Sequence, residues 1–197
     1  MLQVTKEKIV QVLHNYQKKN ISDENLKPSA VLIPMFCKEG EYYILFIKRS
    51  EKVDFHKGQP AFPGGNREPT DANLLQTALR EAKEEIGLES EDVEVVGELD
   101  DCTTLTSGYV MSPFVAFIPY PYPFQVDSEE VEELFSVPLS ALINESNFRQ
   151  DYYPTGDKTG PGYAYEYEGR IIWGATARIV KQFMELLRSR PESGALG

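Results

Sequence analysis

Two cysteines, two histidines and a single tryptophan among 197 residues narrow the chemistry before any motif is considered. Cys37 and Cys102 lie in separate apolar stretches, with no CxxC pair and no Cys/His spacing. Neither a zinc site nor a disulfide framework is therefore suggested, and both are expected to be buried free thiols. No apolar run approaches the ~20 residues needed to cross a bilayer. Residues 1–20 are too polar for a signal peptide, so a soluble, cytoplasmic protein is expected. Positive charge is also scarce, with 20 Lys and Arg against 31 Asp and Glu for a net charge of −11. That balance argues against nucleic-acid and anionic-membrane partners, which need a basic surface. A small anionic substrate stays admissible, because bound metal ions reverse the local field.

The chain is 41% hydrophobic and 26% charged, as in ordinary globular proteins, and shows no internal repeat or second domain. Residues 4–19 place Ile9, Val10, Val12, Leu13 and Tyr16 near helical spacing, which predicts an amphipathic helix within a packed N-terminal segment 1–25. His14 reads as a surface or boundary residue of that helix. The domain proper is expected over 26–190, followed by a frayed tail 191–197. Residues 30–36 and 42–48 read as a hairpin around Gly40, and Pro34 predicts an edge or interrupted first strand. Residues 93–99 and 109–118 are strand-like, the second carrying Pro113. The stretch from Tyr163 to Ala177 reads as a hairpin entering a helix that runs to about Leu187.

The organising stretch is Phe62 to Leu88. Pro63-Gly64-Gly65 signals a turn, Pro69 breaks the loop, and a helical pattern begins at about Ala72. At roughly 100° per residue, Glu81, Glu84 and Glu85 share one arc, while Leu75, Ala78, Leu79, Ala82 and Ile86 form an apolar stripe. One face is thus expected to be buried and the other to present three carboxylates. Like charges at helical neighbour spacing destabilise by a few tenths of a kcal/mol per pair, roughly. Mg²⁺, which takes carboxylate and carbonyl oxygens and bridges to phosphates, would account for such a cluster. A solvated acidic face with Arg80 reaching Glu84 is the bland alternative.

This stretch resembles the Nudix box, in which Gly, five residues, Glu and seven residues precede Arg-Glu-apolar-any-Glu-Glu-any-Gly-apolar. Residues 80–88 meet the second half without exception. In the first half the sixth position after Gly65 is Asp71, and eight residues precede Arg80. The loop is thus one residue longer, with Asp71 or Glu68 in the role of the first Glu. Upstream, Arg49-Ser50, Gly58 and Phe62 to Gly65 resemble the signature of the coenzyme A pyrophosphatase branch, with Asp54 where that signature has Arg. Residues 103–108 and 172–177 also resemble segments of that branch.

The resemblance implies an α/β fold, a Nudix-type α/β/α sandwich with a mixed β-sheet and a loop-helix-loop metal site. It implies Mg²⁺ or Mn²⁺ held by Glu81, Glu84, Glu85 and the Gly64 carbonyl. Arg80 would hold the carboxylates in place, and Glu81 or an acid of residues 129–133, Glu130 ahead of Glu133, would serve the reaction. Arg49, Gln59 and Ser107 are the expected substrate contacts. The expected reaction is hydrolysis of a diphosphate bond in a nucleotide conjugate, coenzyme A or an acyl derivative first. An ADP-ribose or other nucleoside-diphosphate pyrophosphatase, and a catalytically silent nucleotide-binding domain, remain as alternatives. A homodimer is left open.

Overall fold

The structure, a computed structural model, describes residues 4–53, 56–104, 108–155 and 158–189, with the backbone alone at 151–155 and 158–161. The element order is α1 (Lys6–His14), β1 (Lys27–Lys38), β2 (Glu41–Arg49), β3 (Pro60–Ala61), β4 (Gly64–Asn66), α2 (Leu74–Ile86), β5 (Glu94–Glu98), β6 (Cys102–Thr103), β7 (Tyr109–Phe117), β8 (Val131–Pro138), α3 (Leu139–Ile143), β9 (Phe148–Thr155), β10 (Lys158–Tyr167), β11 (Arg170–Trp173) and α4 (Gly174–Arg188).

β1 and β7 run parallel, residues 27–35 against 109–117, and every other pairing in the large sheet is antiparallel. The result is a mixed sheet with the path β3-β2-β1-β7-β5, to which β4, β6 and β8 add at β1, β7 and β2. Because side chains alternate along a strand, β1 sends Ala30 and Leu32 to one face and Val31, Ile33 and Met35 to the other. The first face packs on α2 through Ala78, Ala82 and Ile86. The second packs on α1, α3 and α4, where Phe183, Met184 and Leu187 are fully buried.

Several expectations are corrected or narrowed. β1 is an interior strand, so of the two alternatives, edge or interrupted, the second holds: β4 pairing stops at Val31 and β2 pairing starts at Met35, which leaves room for Pro34. Its missing N–H therefore falls in a gap on that side of the ladder. Pro113 uses the same device on β7, lying between the stretch paired with β5 and the stretch paired with β6. α1 ends at His14 rather than near residue 19, and only Ile9 and Leu13 are buried. Tyr16 lies beyond the helix, where its hydroxyl donates to Asp100 at 2.6 Å and accepts from Gln182 at 2.8 Å. Cys37 is exposed and Cys102 half-buried, since Cys37 falls where β1 emerges from the core toward its hairpin. The hairpin of residues 163–173 belongs to a separate sheet, β11-β10-β9, whose first strand β9 carries no clear sequence signal.

Candidate active site

The loop that carries Pro63-Gly64-Gly65 is pinned to β1, with Leu32 N–H donating to the Pro63 carbonyl at 2.8 Å and β4 pairing residues 64–66 with 29–31. Glycine is required at Gly64, where the neighbour is backbone, while at Gly65 the neighbour is the movable end of a side chain. A Cβ on Gly64 would come within 2.3 Å of the Ala30 carbonyl oxygen, and one on Gly65 within 2.5 Å of the Glu81 carboxylate. The turn therefore sits directly against the carboxylates of α2. That helix starts at Leu74, two residues later than its pattern predicts, because the Asn73 side chain caps it by accepting from Gln76 N–H at 2.9 Å. It stops at Gly87, which is left-handed with φ 67°.

The three glutamates of α2 do not share one environment. Glu84 is 59% exposed, Glu81 15% and Glu85 1%. Glu85 thus lies on the buried side of the helix, contrary to the expected division into one apolar and one acidic face. It accepts from Gly64 N–H at 3.0 Å, and its nearest cationic atom is a terminal nitrogen of Arg49 at 3.4 Å. Burial pushes its carboxyl up to about 8, with Glu81 and Glu130 adding repulsion that the Gly64 N–H and Arg49 only partly offset. Burial also raises Glu81, helped by Glu84 and Glu130 and opposed by Arg80. A buried carboxyl with more acidic than basic company is neutralised either by a proton or by a cation.

Arg80 is the hub of the exposed side. Its Nε and one terminal nitrogen each reach a different oxygen of Asp71 at 3.1 Å, a bidentate pair. The remaining donors serve Glu81 and Glu84 at 2.9 Å and the Asn66 carbonyl at 2.9 Å. Asp71 is buried, and the Arg80 guanidinium holds its carboxyl at about 2 despite that burial. Glu68 is 58% exposed with an oxygen 4.0 Å from Arg80. Of the two acids that could replace the first Glu of the box, the geometry selects Asp71.

Comparison with known proteins agrees with this arrangement. A family profile described as the NUDIX domain matches residues 26–157. The chain belongs to the Nudix hydrolase family. It is 35% identical over 167 residues to a protein of Photorhabdus laumondii called uncharacterized Nudix hydrolase NudL, covering 85% of this chain and 88% of that one. A Yersinia enterocolitica protein of the same name is 36% identical over 161 residues, 82% of each chain. Among solved structures, a MutT/nudix family protein from Enterococcus faecalis superposes with a TM-score of 0.54 at 16% identity, over 94% of this chain and 70% of that one. A C. elegans Ap4A hydrolase superposes with a TM-score of 0.50 at 18% identity, over 60% and 84%. The protein is accordingly a hydrolase of the pyrophosphatase type, acting on nucleoside-diphosphate-linked compounds. Nudix hydrolases generally use divalent metals such as Mg²⁺ or Mn²⁺.

Around the Nudix helix the other predicted residues divide into those brought together and those not. Glu130 ends the loop before β8, and its position is set from both sides. Its N–H donates to the Asp127 carbonyl at 3.2 Å, and its carbonyl accepts from Ser50 N–H at 2.8 Å. Asp127 N–H in turn donates to the Glu85 carbonyl at 3.0 Å, which ties the acidic loop to the end of α2. Glu133 points elsewhere, into an ion pair with Arg170. A β-bulge opposite Lys48 and Arg49 separates the two acids, and it re-aims the strand ends beside the site. Gln59 lies beside Arg49, its carbonyl accepting from Arg49 N–H at 3.1 Å and its side chain 3.1 Å from His56 Nδ1. Ser107 and Asp54 lie outside the described residues.

The donor set at the acidic centre consists entirely of oxygens, which suits a hard dication. Among the described residues no three acidic, His or Cys side chains are already gathered as a closed metal cage. Glu84 is instead held by Arg80 at 2.9 Å. Thr77, wholly buried and bonded to Asp71 at 2.9 Å, was not a sequence candidate, although its place three residues before Arg80 on one helix face was a signal for it.

Proposed function

We propose that this Nudix hydrolase cleaves the diphosphate bond of coenzyme A or an acyl-coenzyme A, releasing 3',5'-ADP and the corresponding phosphopantetheine. Arg49 is the observation that carries the reading. It occupies the Arg-Ser position of the coenzyme A signature and faces the acidic centre, with a terminal nitrogen 3.4 Å from Glu85 and 23% of its side chain exposed. A guanidinium that spends one terminal nitrogen on Glu85 and still has part of its side chain open to solvent is suited to a phosphate oxygen. Gln59, held beside it, and Ser107 complete the proposed substrate contacts.

Glu81, Glu84, Glu85 and the Gly64 carbonyl are the proposed ligands of Mg²⁺ or Mn²⁺. When bound, the metal would offset phosphate charge and lower the pKa of coordinated water. The residues themselves divide the remaining work. Arg80 fixes Glu81 and Glu84. Glu130, supported on Asp127 and Ser50, accepts the proton of the attacking water, with Glu81 as the alternative base. Water oxygen bonds to one phosphorus, the bridging P–O bond breaks, and the leaving phosphate carries away the electron pair. Buried Glu85 keeps the acidic centre against the Gly64 turn.

The test is kcat/KM for coenzyme A, dephospho-coenzyme A and ADP-ribose with Mg²⁺ and Mn²⁺, with products identified by mass. Coenzyme A is expected to be cleaved with modest affinity, and Asp54→Arg to improve it by supplying a cation for the 3'-phosphate. If ADP-ribose is the best substrate and neither protein cleaves coenzyme A, the assignment gives way to an ADP-ribose pyrophosphatase.

A further inference from the structure

A threonine with no solvent exposure inside a helix needs a reason, because a β-branched residue is a mediocre helix former and its hydroxyl must be paired when buried. Thr77 Oγ1 has two acceptors in range, the Asn73 carbonyl one turn back at 3.4 Å and Asp71 Oδ2 at 2.9 Å. The bond to Asp71 is shorter and has a charged acceptor, which makes it the stronger of the two.

Asp71 is an aspartate in a loop that is one residue longer than the Nudix pattern. Its Oδ1 accepts from Arg80 Nε, and its Oδ2 accepts from Arg80, from Glu68 N–H at 2.9 Å and from Thr77. A bidentate pair fixes the guanidinium plane only as well as the carboxylate plane is fixed. Glu68 anchors that carboxylate to the loop. Thr77 anchors it to α2, three residues before Arg80 on the same helix.

We propose that Thr77 is a positioning residue for the metal helix, locking Asp71 so that Arg80 presents Glu81 and Glu84 in the orientation that binds the divalent cation. This rests on the metal assignment made above. The hydroxyl acts at two removes, through Asp71 and then Arg80, and touches neither substrate nor metal.

The test uses the full chain and Mn²⁺ alone, titrated calorimetrically and by the electron paramagnetic resonance of the free ion, well below the melting temperature. Thr77→Val keeps the shape and removes the hydroxyl, while Thr77→Ser keeps the hydroxyl. Thr77→Val is expected to raise the Mn²⁺ Kd by about tenfold, the low end for outer-sphere supports of metal ligands. Its kcat should fall by a similar factor while KM for the nucleotide stays parental, and Thr77→Ser should restore both. In an Asp71→Asn background Thr77→Val should add little, since the two act in series. Parental Mn²⁺ affinity in Thr77→Val, with only the melting temperature lowered, overturns the role of Thr77 while leaving the metal site standing. Independent, additive effects of the two substitutions overturn it as well. A parent that binds no Mn²⁺ overturns the site assignment, and the role of Thr77 with it.

Discussion

On one face of the sheet α4 turns Ala177, Ile179, Val180, Phe183, Met184 and Leu187 inward, all of them apolar. On the other face α2 turns inward Ala78, Ala82 and Ile86, but also Thr77 and Glu85. Both helices are amphipathic and both pack on strands whose side chains alternate between them, so the difference lies in what their buried stripes are for. α4 removes apolar surface from water and does little else. α2 surrenders two of its buried positions to oxygen, one bonded to Asp71 and the other to the Gly64 N–H and Arg49.

The contrast is broken most severely at Glu85. Replacing it with Gln keeps the volume and removes the charge. The fold should survive, with a melting temperature in EDTA at or above that of the parent, while Mn²⁺ binding weakens and turnover falls by orders of magnitude. Near-parental turnover of Glu85→Gln at limiting Mg²⁺ would remove this residue from the metal site. The converse change on α4 is Phe183→Ala, expected to cost about 3–5 kcal/mol in denaturant unfolding. Its kcat per folded molecule should stay close to parental, and a selective loss of kcat would show that α4 also serves the site.

A finer comparison sets Glu130 against Glu133, three residues apart across the bulge. Glu130→Gln should lower kcat by about 10²-fold, as expected for loss of a general base, with little change in KM. Glu133→Gln should lose only a partly exposed pair with Arg170 and turn over normally. Equal effects in the two variants would refute the division.

The smallest effect concerns acid stability. The folded pKa of Asp71, about 2, lies below that of a free Asp side chain at about 3.9. Its contribution is therefore fully present above that free value and is lost as pH falls through the folded one. Melting temperatures between pH 5 and pH 2.5 should drop less steeply for Asp71→Asn than for the parent, and parallel curves would deny the Asp71–Arg80 pair this role.

Much of this was legible in the chain because each signal was local. Residues 80–88 specify a helix with paired carboxylates, and the hydrophobic runs at 30–36, 42–48 and 109–118 specify strands. The burial of Glu85 was missed because the arc of three glutamates was considered as a unit. Seven residues fall roughly 20° short of two helical turns, so Glu85 lies almost under Ala78, already assigned to the core. The interior place of β1 was left open for a different reason. A proline marks an absent donor, but whether that donor is needed depends on where the pairing of two neighbouring strands starts and stops. Cys37 was misjudged by composition alone, since it follows an apolar run but sits at the strand end. β9 and the first half of β10 could not be seen, because Pro154 in the one and Gly160, Pro161 and Gly162 in the other read as breakers.

The parallel pairing of β1 with β7 bears on how the molecule comes to exist. Residue 27 meets residue 109, so the β2 hairpin, the Gly64 turn and α2 are all enclosed in the span that this pairing closes. Contacts so distant along the chain form late, because the entropy of closing the span is lost before the ladder compensates for it. A nascent chain that has emerged only through Leu88 contains the whole Nudix box, yet lacks the strand that completes the platform beneath it. Substitutions along β7 should therefore slow the appearance of activity after dilution from denaturant, while leaving the final specific activity untouched.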